Sequence, residues 1–219
     1  MAPKHKKLLA AAIIAPVVGL AGYQAYNFTS ALFTDTETNT ANVFTAGTLN
    51  LTVGGNDGTA FDSFSISNIG ANGTVSGGKE WTITNTGSVP GNLTFKLNDL
   101  VNYENGCNEP EAKVDTTCDD PGAGQGELGG AISVTVDLDT DGDGTYDKAG
   151  VVSSDFATAH QGEYASQWNT NAGTVTIQPG ESVKVKMNWS TDPTSYGNDI
   201  QSDSLTFGIQ YDLTQVTPS

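Results

Sequence analysis

This chain of 219 residues carries 25 acidic residues against nine basic ones, all Lys, for a formal charge of −16. Such a surface repels nucleic acid and anionic lipid, so neither is an expected partner. The absence of Arg also excludes bidentate clamping of phosphate or carboxylate groups.

The N-terminus sets a basic tip, Lys4-His5-Lys6-Lys7, before an apolar run from Leu8 to Gly22 that Pro16 interrupts. That run falls short of the ~20 residues a membrane-spanning helix needs and suits the hydrophobic region of a secretion signal. Gly19-Leu20-Ala21 and Thr29-Ser30-Ala31 both satisfy the small-x-small cleavage rule. Cleavage at the second removes residues 1–31, with three Lys and no acid, and leaves no stable membrane span. The export predicted here makes signal peptidase a transient partner and the localisation extracellular.

Residues 32–42 follow as an extended segment: Leu32, Phe33, Thr34, Asp35, Thr36, Glu37, Thr38, Asn39, Thr40, Ala41, Asn42. Thr34, Thr36, Thr38 and Thr40 share one face of a strand, and Asp35, Glu37 and Asn39 the other. This strand has too little apolar mass to stand alone and needs a sheet edge for its backbone hydrogen bonds. At a freshly cut N-terminus it is free to be donated to a neighbouring subunit. The other reading open to it is a return into its own domain.

Residues 43–219 read as one domain dominated by period-2 alternation. The predicted strands are Val43–Val53, Phe61–Ile66, Lys79–Asn85, Gly91–Leu97, Ala131–Leu138, Gly173–Ile177, Ser182–Trp189 and Ser204–Leu213. Turn signals stand at Asn56-Asp57-Gly58, Val89-Pro90-Gly91 and Gln178-Pro179-Gly180. The expected fold is all-β, a jelly-roll β-sandwich with an N-terminal donor strand and long loop insertions. Residues 100–130 form the main insertion, closed by the two cysteines, Cys107 and Cys118; in an exported protein these pair as a disulfide. Residues 151–171 form a second excursion, with a short helix expected at Ser154–Ala159. Trp81 and Trp189 read as core anchors.

The acidic run Asp137–Asp147 holds the candidate metal site. Asp139, Asp141 and Asp143 stand at positions 1, 3 and 5 of a calcium-type loop and Gly144 at position 6, with Thr145 and Asp147 (position 9) completing the set. Hard oxygens alternating around a Gly turn suit Ca²⁺, although Gly150 replaces the usual acid at position 12. A plain acidic hairpin turn is the competing reading. No His-Glu-x-x-His motif or Gly-x-Ser-x-Gly elbow is present, and His160 is the single histidine after the signal. Zinc catalysis, which ordinarily recruits several ligands with His prominent, lacks its residues; no catalytic residues are assigned, and the chain reads as a non-enzyme.

Ala31-Leu32-Phe33-Thr34-Asp35-Thr36-Glu37, followed by Phe44-Thr45-Ala46-Gly47-Thr48-Leu49-Asn50-Leu51, resembles the "A-x-F-x-D-x-E" and "F-x-A-G-T-L-x-L" motifs of the TasA/camelysin family of biofilm-matrix fibre proteins. Weaker echoes stand at Gln178-Pro179-Gly180-Glu181-Ser182 and Gly197-Asn198-Asp199-Ile200-Gln201. The resemblance implies cleavage between Ala31 and Leu32 by a dedicated signal peptidase and a jelly-roll body. It also implies a head-to-tail homopolymer, an extracellular filament or pilus, joined by donor-strand exchange. The rivals carried alongside are a monomeric calcium-dependent adhesion or carbohydrate-binding module and a secreted peptidase.

Overall fold

Alternating strands resolve into two antiparallel sheets because each buries its apolar face against the other. The computed structural model describes the backbone of residues 34–38 and all of residues 49–57 and 74–216, which lie within one compact unit, Phe33–Ser219. In chain order the strands are β1 (Thr34–Thr38), β2 (Leu51–Val53), β3 (Asn56–Asp57), β4 (Ser76–Asn85), β5 (Gly91–Glu104), β6 (Gly122–Ala123), β7 (Ile132–Asp139), β8 (Lys148–Asp155), β9 (Val175–Ile177), β10 (Ser182–Thr191) and β11 (Ser204–Gln215). A short helix, α1 (Gln161–Gln167), runs into a π turn at Trp168–Ala172. One sheet has the order β1-β11-β5, with β6 and β9 sharing the far edge of β5; the other has the order β3-β2-β4-β10-β7-β8. The expected strand Phe61–Ile66 and residues 43–48 of the first expected strand lie outside the described residues, as do residues 1–33.

Period-2 patterning places the core. In β10, Val183, Val185 and Met187 are buried, while Lys184 and Lys186 alternate with them on the outer face. Across the core lie Leu93, Phe95 and Leu97 of β5 and Ile209, Tyr211 and Leu213 of β11. Trp81 meets Tyr211 edge-on between the sheets, with ring centroids 6.3 Å apart. Trp189 packs against the rim of the same core, over Gly77, where any Cβ would fall 2.5 Å from its ring. Each large apolar side chain fully buried in this way contributes about 1.5–3 kcal/mol relative to exposure.

The longest strand departs most from its expected form. β5 continues past Leu97 to Glu104, so the start of the expected insertion 100–130 is sheet. It does so through a bulge. Pairing with β11 slips between Asn98↔Gly208 and Val101↔Thr206, and Asp99 takes φ 50°. The extra residue lets Leu97 and Leu100 both face inward although they are three apart. Downstream, the inward positions become Leu100, Asn102 and Glu104. Without the bulge the two polar side chains would point to solvent.

Buried amides then tie loops to this frame. Asn102 donates to the Phe156 carbonyl (2.8 Å) and accepts from the Gly129 N–H (2.7 Å). Asn85 donates to the carbonyls of Val89 (2.8 Å) and Ile177 (2.9 Å), fixing the β4–β5 crossover onto β9.

The excursion expected at 151–171 also differs. Residues 148–155 are strand, because Val151 and Val152 are buried and Val152 pairs with Val136 of β7. The helix forms later than Ser154–Ala159, at Gln161–Gln167, where Tyr164 and the following Trp168 share a buried face at i,i+4 spacing. Both rings pack on Phe95. Among the described residues no helix is long and apolar enough to cross a membrane.

Candidate functional site

Three features of this frame bear on function: a strand edge, a hairpin tip and an acidic cluster. The edge belongs to β11. One side of β11 pairs with β5 along most of its length; the other side receives Thr34–Thr38, antiparallel over Gln210–Thr214, with Thr36 opposite Asp212. The receiving segment is rigid from beneath, since Tyr211 and Leu213 are fully buried, and on the sheet Asp212 pairs with Lys96 at 3.1 Å. In this single copy the expected donor strand therefore lies on its own domain. Leu32, Phe33, Asn39, Thr40 and the cleavage point Ala31/Leu32 lie outside the described residues. The sequence reading left the acceptor unnamed, because alternation marks a strand without naming its neighbours.

The hairpin tip joins β7 to β8. Asp139 is fully buried and accepts from the N–H groups of Gly142 (2.7 Å) and Gly144 (2.8 Å). Those glycines take φ 74° and 98°, a left-handed backbone that a side chain would strain. Asp139, Asp141 and Asp143 each bring one carboxylate oxygen to within 4.8 Å of the others. The Asp147 carboxylate does not join them. Thr145 donates its N–H to Asp143 (2.6 Å), and Asp147 accepts from the Thr140 N–H (2.7 Å). The hydrogen bonds from Thr140 hold the Asp147 carboxyl below its ordinary range. Of the residues expected to bind metal, Asp139, Asp141 and Asp143 converge, while Asp147 braces the loop. The adjoining Tyr146 hydroxyl donates to Glu80, anchoring the tip to β4.

Cys107 and Cys118 form the expected disulfide. His160 is partly exposed, with Nδ1 2.7 Å from Asp155 Oδ1. That contact raises the imidazole pKa above its ordinary value and gives the residue a local bracing role.

The acidic cluster escaped sequence reading. Glu104, Glu127 and Asp203 come from three separate segments and bring carboxylate oxygens to within 4.8 Å of one another. Their one visible signal is that Leu100, Asn102 and Glu104 alternate, which becomes informative only once the bulge at Asp99 is known. No protein-family model matches the chain, and comparison with curated proteins returns no similar sequence.

Proposed function

We propose that this chain is an exported structural subunit that polymerises head to tail into an extracellular filament, each copy giving residues 32–42 to the β11 edge of the next. The reading makes the body a jelly roll, with crossovers between the sheets at β4–β5 and β10–β11. The observation that carries it is the docking of Thr34–Thr38 on β11, in register from Thr34↔Thr214 to Thr38↔Gln210. The contact is backbone pairing at a sheet edge, so an identical strand from a second copy makes it equally well. Because one end donates and another accepts, the exchanged contact does not close on itself, and an open filament results. We also propose that the hairpin tip takes Ca²⁺ through Asp139, Asp141 and Asp143, with waters and backbone oxygens filling the rest of a 6–8-oxygen shell. Enzymatic activity has no part in this reading.

The register supplies the test. Thr36→Cys and Asp212→Cys variants are mixed as separate chains under assembly conditions and oxidised. Strand exchange yields Thr36→Cys chains covalently joined to Asp212→Cys chains, in filaments seen by electron microscopy. Filaments should also disappear when residues 32–42 are deleted. Heterologous cross-links that fail to form, while a doubly substituted chain closes only on itself, would overturn exchange and favour the monomeric calcium-dependent adhesion module.

A further inference from the structure

We infer that Glu104, Glu127 and Asp203 form a second cation site, separate from the hairpin tip, built for one calcium-like hard divalent ion. The trio joins the end of β5, the residue preceding the 3₁₀ turn Leu128–Ala131 and the residue preceding β11. Glu104 is 2 % exposed and inward-facing. Its Oε1 accepts from the Gly106 N–H (2.7 Å), while its buried Oε2 faces no donor, only the carboxyls of Asp115 and Asp203. Asp203 Oδ2 accepts from the N–H groups of Glu127 (2.5 Å) and Leu128 (2.9 Å), and its Oδ1 is buried without a partner. Glu127 Oε2 is a third such oxygen. Each carboxylate thus keeps one oxygen in reserve. A buried acceptor without a donor is costly, and more so when charged, so three together call for a positive ligand.

The neighbouring acids sharpen the assignment by contrast. Glu111 is fully buried, yet Ser202 and Asn108 donate to its two oxygens. Burial opposes its charge, but those hydrogen bonds prevail and hold its carboxyl below the ordinary range. Asp115 is likewise engaged by Thr117. Glu104, by contrast, has carboxyls beside its second oxygen, those of Asp115 and Asp203, where Glu111 has donors. The neighbouring charges that act on Glu104, Glu127 and Asp203 are those of other acids.

Donor chemistry selects the ion. The adjacent sulfurs are locked in the Cys107–Cys118 disulfide, and His160 is held by Asp155, so the site offers hard oxygen alone. That disfavours zinc and copper and favours calcium. With metal–oxygen bonds of 2.3–2.6 Å, oxygens on opposite sides of a calcium ion are about 5 Å apart. Carboxylate oxygens within 4.8 Å of one another therefore fit around one ion. Bound there, the ion pins the segment entering the turn before β7 to β5 and to the start of β11.

The test is calcium titration of the purified protein by calorimetry and thermal melting at pH 7.5, in the Asp139→Asn/Asp141→Asn background that removes the hairpin site. One calcium should bind and raise Tm. Glu104→Gln keeps an acceptor for Gly106 while removing the buried charge. It should weaken binding at least 100-fold, abolish the calcium-induced rise, and melt higher than its parent in chelator because repulsion is relieved. Glu127→Gln, whose backbone bond to Asp203 is untouched, should behave alike. No calcium binding in the parent, or equal binding in Glu104→Gln and Glu127→Gln, overturns the proposal; filament formation is not read in this assay.

Discussion

At the scale of single residues, the buried polar groups are informative because each has a specific set of partners. Asn85 and Asn102 sit where a sandwich ordinarily carries aliphatic side chains, and both spend their amides on loop backbone. A sequence reading counts them as breaks in an apolar pattern; apart from Val89, the partners cited lie 27 to 92 residues away and are brought near only by folding. His160 gives a residue-scale prediction. Asp155 raises its pKa above 6.5, so the protonated ring favours the folded state. That contribution is fully present below the unfolded value near 6.5 and is lost as pH rises through the folded value. The C2–H resonance of His160 should titrate above 6.5 in the native protein and shift back toward 6.5 in Asp155→Asn. A midpoint unchanged by the substitution would rule out the carboxylate as the cause.

At the scale of elements, alternation located the strands and missed what interrupts them. The strands of β10 and β11 stand where the pattern set them because alternate residues really do face core and solvent. β5 was cut short at Leu97 because Asp99 falls where the next inward residue belongs. The bulge moves that burden to Leu100. β8 was missed since Val151-Val152-Ser153-Ser154 is too short a signal without Val136 to pair with. The bulge is testable. At φ 50°, Asp is tolerated, Gly is at ease and a β-branched residue is strained. Asp99→Val should lose about 1–2 kcal/mol in urea denaturation, whereas Asp99→Gly should stay within about 1 kcal/mol of the parent. Equal losses in both would point to a side-chain contact of Asp99, not backbone conformation.

At the scale of the whole molecule, distant segments are held together by few covalent or ionic ties. The Cys107–Cys118 bridge closes a short loop, and replacing both cysteines by Ser should cost about 2–3 kcal/mol of unfolding free energy by loop entropy. Chemical denaturation of the double variant at saturating calcium checks this; no change would mean that the loop is ordered without the bridge. The same scale decides assembly. A strand with little apolar mass, docked by backbone pairing on the edge of β11, is held by interactions that do not distinguish its own copy from the next. Cross-linking between the Thr36→Cys and Asp212→Cys chains reads that choice directly.

The all-β class of this chain is a matter of local pattern. Period-2 hydrophobicity, Gly-Asp turn signals and the cysteine pair act locally or through composition, so the all-β character, most strands and the disulfide were legible. The convergence of Asp139, Asp141 and Asp143 was legible for the same reason, the alternating acids being carried along one continuous segment. The tertiary structure alone decided which strands are neighbours, that β11 receives Thr34–Thr38, and that Asp147 turns to Thr140 instead of to Asp139. It also decided the meeting of Glu104, Glu127 and Asp203. Those outcomes depend on pairing register and on one extra residue at a bulge, and both are settled by the packing of two sheets across a shared core.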